Sequence, residues 1–174
     1  MNTNYKEAFE KTHIAGSIAA GALDEVSKII KPGVTTNQID NICYQYINDH
    51  KAFSAPLFYR GFPKSCCTSS NHVVCHGIPS DKILKEGDII NVDVTACKDS
   101  WHGDTSRMFE VGQIPVKAKN LINATYNSMM KAIKILKEDI NLGDIGSTIQ
   151  EHVEAQGFSV VQDFCGHGIG QTFH

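Results

Sequence analysis

The stretch Ile89–Phe109 constrains this chain more than any other. Apolar and polar residues alternate along its first part: Ile90, Val92, Val94 and Ala96 fall on one face, and Asn91, Asp93 and Thr95 on the other. That period of two is the signature of a half-buried strand. Lys98-Asp99-Ser100 supplies polar turn residues, and Thr105 to Phe109 supplies a returning strand. A hairpin centred between Lys98 and Asp99 sets Asp93 opposite Asp104. Directly opposed side chains have Cβ atoms about 5 Å apart, and like charges there repel. A shared proton relieves such a pair, and so does a cation. A solvated hairpin with two surface aspartates competes with this, because turns are rich in Asp.

The flanking segments alternate between helical and extended patterns. Ile14, Ile18, Ala22, Val26 and Ile30 recur every four residues and predict an amphipathic helix over about 12–31, stopped by Lys31-Pro32-Gly33. Thr35 and Gln38 form a capping box that opens a second helix, with Ile39, Ile42, Cys43, Tyr46 and Ile47 on one face. An extended segment over 53–59, a loop over 60–64, and short strands over 65–70 and 72–76 lead to the hairpin. Beyond Gly112 a helix over about 116–137 carries Leu121, Ile122, Met129, Ile133 and Leu136 inward. Asp144 caps a further helix bearing Ile145, Ile149 and Val153, a strand follows over 158–161, and a glycine-rich turn runs over 163–170. Helix, helix, strand thus recurs, which predicts one α+β domain of two similar halves, the first about 1–112 and the second from about 113.

Composition narrows the class. The net charge is −3, no Lys/Arg run stands out and no apolar run reaches transmembrane length, which argues against nucleic acid or an anionic membrane as the main partner. No export signal is read, so a cytoplasmic protein is expected, with Cys43, Cys66, Cys67, Cys75, Cys97 and Cys165 as reduced thiols.

Several chemistries can be set aside. Gly-His-Gly-Ile-Gly at 166–170 lacks the Gly-Lys-Ser/Thr ending of a P-loop and the following helix of a dinucleotide loop. No Gly-x-Ser-x-Gly elbow exists. Cys67 or Cys75 could act as nucleophiles, but no local signature supports that. A metal centre uses the residues better. Asp93, Asp104 and His167 offer two carboxylates and one imidazole, a donor set suited to Mn(II), Fe(II), Co(II) or Zn(II). Three donors are too few for two ions.

Four segments carry a resemblance that covers essentially the whole chain, in order: Val73-Val74-Cys75-His76-Gly77-Ile78-Pro79, Asn91-Val92-Asp93-Val94, His102-Gly103-Asp104-Thr105-Ser106 and Cys165-Gly166-His167-Gly168-Ile169-Gly170. Together they resemble the motif set of the type I methionine aminopeptidases, the bacterial and organellar kind. The resemblance implies the pita-bread fold, two pseudo-symmetric α+β halves with antiparallel sheet flanked by helices. It implies two divalent metal ions, with Asp93 chelating one, Asp104 bridging both and His167 binding the other. His174 would stabilise the scissile carbonyl as it becomes tetrahedral, and His76 would meet the scissile amide nitrogen. Tyr59, Phe62, Cys67 and Phe173 match positions lining the methionine pocket, and Pro56 stands where some relatives have a cysteine. Asn71 and Val73 match positions whose backbone carbonyls hold a structural monovalent cation.

The implied activity is removal of the initiator methionine from nascent polypeptides by metal-activated water, in a monomer working near the ribosome. The family's two further metal-binding glutamates and its pocket tryptophan find no match. Trp101 sits in the hairpin turn, and Glu151 and Glu154 are poor substitutes. The expectation is therefore a chain lacking the C-terminal part and inactive alone. The rivals are a proline-specific or creatinase-like relative and a metal-free pita-bread binding module.

Overall fold

The computed structural model describes residues 4–174. They form two compact units, residues up to Ile114 together with His167–His174, and Pro115–Gly166. Among the described residues no helix is long and apolar enough to cross a membrane.

In the first unit, helix α1 spans Tyr5–Ser27 and helix α2 spans Thr36–Asp49. α1 starts earlier than its apolar period predicts because the Asn4 side chain caps it, accepting the Glu7 N–H at 3.4 Å. The capping box of α2 is formed as expected, with Gln38 N–H on Thr35 Oγ1 at 3.2 Å and Thr35 N–H on Gln38 Oε1 at 2.8 Å. Both helices turn their apolar stripes onto an antiparallel sheet of β1 (Phe53–Ser54), β2 (Cys67–Ser70), β3 (Ile89–Lys98) and β4 (Trp101–Glu110). Strand β3 is central. β4 runs along one edge for its full length, and β1 and β2 share the other. Ile90, Val92, Val94 and Ala96 are fully buried beneath Ala19, Leu23, Val26, Ile39, Cys43 and Ile47, which is the core the alternation predicted.

The hairpin register corrects the expectation. Asp99 and Ser100 both have positive φ, 50° and 65°. That is the two-residue type I′ turn whose twist matches flanking strands. Lys98 therefore pairs with Trp101, Thr95 with Asp104, and Asp93 with Ser106. Asp93 and Asp104 are diagonal neighbours instead of directly opposed. Because the slip is two residues, every side chain keeps its face.

The segment 72–76 is not a strand. Asn71 and His76 have φ of 55° and 53°, which breaks extended geometry, and the chain folds back so that Thr68 N–H donates to the Gly77 carbonyl at 2.7 Å.

The second unit holds helix α3 (Val116–Lys134) and helix α4 (Leu142–Ala155), which pack together. Here the predicted inward face of α3 is wrong. Leu121, Met129, Ile133 and Leu136 are exposed, and the buried stripe is Ala124, Ser128 and Ala132. Small residues at every fourth position let another element approach closely, and that close packing outweighs the larger side chains' apolar area. The cap of α4 is Asn141 and not the expected Asp144, which stands in the first turn and accepts the Asn141 N–H at 3.1 Å. Residues 158–161 are irregular, not a strand.

Candidate metal centre

The site belongs to the first unit and is built on the sheet face turned away from the core. Alternation along β3 and β4 puts Asp93, His102 and Asp104 on that face, and the pairing of β2 sets Cys67 opposite Asp93. The Asp93 carboxyl is pushed up to about 7, first by burial, then by the Asp104 charge and a hydrogen bond with Asp104, against the pull of His167. The two carboxylates thus share a proton near neutral pH.

His167 Nε2 lies 3.5 Å from Asp104 Oδ2, and its Nδ1 lies 2.9 Å from the Gly168 carbonyl. A carbonyl only accepts, so Nδ1 carries the ring hydrogen. The His167 Nε2 is thereby directed at the Asp104 carboxylate, so an imidazole nitrogen stands beside the two carboxyl groups.

The end of the chain closes round these groups. The rings of His167 and His174 are 4.4 Å apart, Phe173 stands 4.9 Å from Tyr59, and His174 Nδ1 is 3.1 Å from the Tyr59 hydroxyl. The His174 pKa is lowered, by burial first and then by His167, with Arg60 and His76 acting the same way and Asp104 opposing. His174 therefore stays neutral near neutral pH. Tyr59 is presented by a short turn, Tyr59–Gly61, in which Phe58 and Arg60 take left-handed φ of 67° and 48°. The Pro56 carbonyl closes that turn by accepting the Tyr59 N–H at 2.9 Å. Cys67 is buried and its thiol is pushed up to about 12, by burial and then by Asp93, so it is a neutral, apolar wall.

The structure thus brings together Asp93, Asp104, His167, His174, Phe173, Tyr59 and Cys67, with His76 near enough for its charge to act on His174. Phe62 ends the Tyr59 turn and makes no ring contact with the cluster among the described residues. Asn71 and Val73 lie in the turn after β2. The Asn71 side chain is engaged there, donating to Asp88 Oδ1 at 2.9 Å and accepting the Ile89 N–H at 3.1 Å.

Two residues that sequence reasoning missed support the site. Asp40 on α2 is buried and accepts the N–H groups of Ser65 and Cys66 at 2.7 and 3.2 Å, setting the start of β2. An acid inside the apolar stripe of Ile39 and Cys43 was the signal, since buried carboxylates need partners. His102 joins its backbone N–H and its ring Nδ1 to the Gly170 carbonyl, both at 2.9 Å. Its signal was its place two residues before Asp104 on one strand.

The donors meet as pairs, Asp93 with Asp104 and Asp104 with His167. Among the described residues no group of three or more His, Cys, Asp or Glu side chains converges on one point. Two hydrogen-bonded carboxyls with an imidazole nitrogen 3.5 Å from one of them suit a divalent cation, whereas a second ion needs more donors than these pairs offer.

Comparison with known proteins fits this donor chemistry. The model of metallopeptidase family M24 matches residues 10–174. The chain is 54% identical over 166 residues to the methionine aminopeptidase of Rickettsia prowazekii and 52% identical over 170 residues to that of Escherichia coli. These alignments cover 95% and 97% of this chain but 64% of each relative, so the chain spans just under two thirds of their length. The crystal structure of the Rickettsia prowazekii protein superposes with a TM-score of 0.95 over 97% of this chain and 68% of its own, at 53% identity. That of the Thermotoga maritima methionine aminopeptidase gives the same TM-score and coverage at 38% identity. The α+β architecture, an antiparallel sheet flanked by helices, is that of the pita-bread fold. With almost its full length matched by the family model, and two carboxylates and a histidine gathered on one sheet face, the chain belongs to metallopeptidase family M24.

Proposed function

We propose that this chain forms part of an aminopeptidase that hydrolyses the peptide bond after an N-terminal methionine, using divalent ions held by Asp93, Asp104 and His167. The observation that carries this is the proton held between Asp93 and Asp104 with His167 Nε2 3.5 Å from Asp104 Oδ2. The relatives over 50% identical are named methionine aminopeptidases. Divalent ions, when bound, act as Lewis acids that polarise a carbonyl and acidify water.

The remaining steps belong to the side chains. Asp93 and Asp104 release their shared proton to become ligands. His174 Nδ1 is held 3.1 Å from the Tyr59 hydroxyl, which leaves Nε2 as the nitrogen for an oxyanion developing on the scissile carbonyl, in the tautomer whose Nδ1 accepts from that hydroxyl. His76, whose charge reaches His174, is assigned to the scissile amide nitrogen. Tyr59, Phe173 and the neutral Cys67, flanked by Phe62, offer aromatic and sulfur surface suited to a thioether. The substrates are then N-termini of new polypeptides. A second ion and a monovalent cation at Asn71 and Val73 complete the proposal. One catalytic domain of two similar halves is also proposed, supported by α2 and α4 being helices of 14 residues that each open on a capping box.

Calorimetric titration of the chelated chain with Co(II) and Mn(II) tests the centre. Binding in the wild type that weakens about 100-fold or more in Asp104→Asn is expected. No uptake by the wild type would favour a metal-free binding module and sink the proposal. In the full-length protein of which this chain forms part, release of methionine from a Met-Ala peptide, against cleavage of an Ala-Pro peptide, separates it from a proline-specific relative.

A further inference from the structure

The segment His167–His174 carries His167, Phe173 and His174, yet it contains neither helix nor strand. Something outside it must hold these rings in place. Among the described residues, both hydrogen bonds from β4 to this segment come from His102, through its backbone N–H and its ring Nδ1, and both end on the Gly170 carbonyl at 2.9 Å. One carbonyl oxygen has two lone pairs and can accept both. The imidazole also lies parallel to the Phe173 ring, 4° between planes and 5.7 Å between centroids. Phe173 in turn touches Tyr59, His174 and His167, at 4.9, 4.2 and 6.4 Å.

The mount for His102 is rigid. The next residue, Gly103, lies so close to α1 that a Cβ there would sit 2.0 Å from the Gly16 nitrogen. Asp104 follows, on the same face as His102. One short stretch of β4 therefore presents a metal-ligand candidate and the anchor of the segment that must meet it.

We propose that His102 is the positioning residue of this site: its Nδ1–H, held on the Gly170 carbonyl, sets the 167–174 segment so that His167 and His174 face Asp104. This goes beyond the proposed activity and rests on it only for what the positioned groups do. The acceptor is a carbonyl, so the ring hydrogen must be on Nδ1.

The test is NMR on the chelated wild-type chain and on two variants. In the wild type, the ¹⁵N shifts of His102 should report the Nδ1–H tautomer. A bare Nδ1 would overturn the assignment whether or not any variant folds. His102→Asn keeps a donor where Nδ1 stood, and His102→Phe keeps a ring beside Phe173 but has no donor. Cross-peaks between the Tyr59 and Phe173 rings should persist in the Asn variant and vanish in the Phe variant. Mn(II) affinity should fall about 10-fold or more in the Phe variant and stay within about 3-fold of wild type in the Asn variant. Retained cross-peaks in His102→Phe, or equal loss in both variants, would overturn the proposal. If the wild type binds no Mn(II) while the cross-peak pattern holds, the positioning role stands and the metal centre falls.

Discussion

The shared proton makes the stability of the metal-free chain depend on pH in an unusual direction. A carboxyl whose pKa rises from 3.8 to about 7 on folding binds its proton more tightly in the native state than in the unfolded chain. Stability gained this way is fully present below the unfolded pKa and is lost as pH rises through the folded one. The full span is about 3 pK units, or about 4 kcal/mol at 1.36 kcal/mol per unit. Between pH 5 and pH 8 the same two-state titration gives a loss of about 2–3 kcal/mol. Urea unfolding of the chelated chain at pH 5, 6, 7 and 8, followed by circular dichroism, reads this directly. Asp93→Asn keeps the shape of the side chain but cannot titrate, so the wild-type curve minus the variant curve isolates the pair from other titrating groups. Excess Mn(II) should reverse the sign, because a cation favours the ionised carboxylates. A difference curve that is flat, or that rises from pH 5 to pH 8 without metal, would refute the idea that these two carboxylates hold a proton between them.

Other substitutions probe the supports of the site. Gly103→Ala forces a methyl into the Gly16 backbone, which cannot yield as a side chain would, so a loss of about 3 kcal/mol is expected from urea midpoints. Asp40→Ala leaves the Ser65 and Cys66 amides without their acceptor and should cost about 3 kcal/mol, with Asp40→Asn retaining about half of that. The same Asp40→Ala change should expose Cys67 to alkylation. In the wild type at pH 8, iodoacetamide should label the exposed Cys165 well before Cys67, whose thiol is buried and pushed up to about 12, and peptide mapping would show the order.

The parts of this molecule legible from sequence are those fixed by local pattern. The alternation of Ile90, Val92, Val94 and Ala96 specified a half-buried strand, and the Thr35–Gln38 capping box specified where α2 begins. What escaped was geometry set by φ angles and by partners distant in sequence. Nothing in Lys98-Asp99-Ser100 announces that Asp99 and Ser100 both take positive φ, so the turn was centred one residue early and the register slipped by two. The face of α3 was misread because large apolar residues attract attention, while Ala124, Ser128 and Ala132 carry the burial.

The register error is instructive because it left the site intact. A slip of one would have sent Asp104 to the core side of the sheet, beneath α1, where Gly103 already leaves no room for a Cβ. Glycine at 103 and a carboxylate at 104 therefore specify the face of β4 jointly: the residue without a side chain must meet the helix, so its charged neighbour must face away from it. On that outward face Asp104 meets Asp93 diagonally and His167 from the chain's end, and neither meeting needs direct opposition across the ladder. A diagonal pair leaves more space between the carboxylates than an opposed one. In the metal-free chain that diagonal pair closes on a hydrogen bond, so a cation entering here must displace the proton and part the two carboxyls, which the longer diagonal separation across the ladder permits.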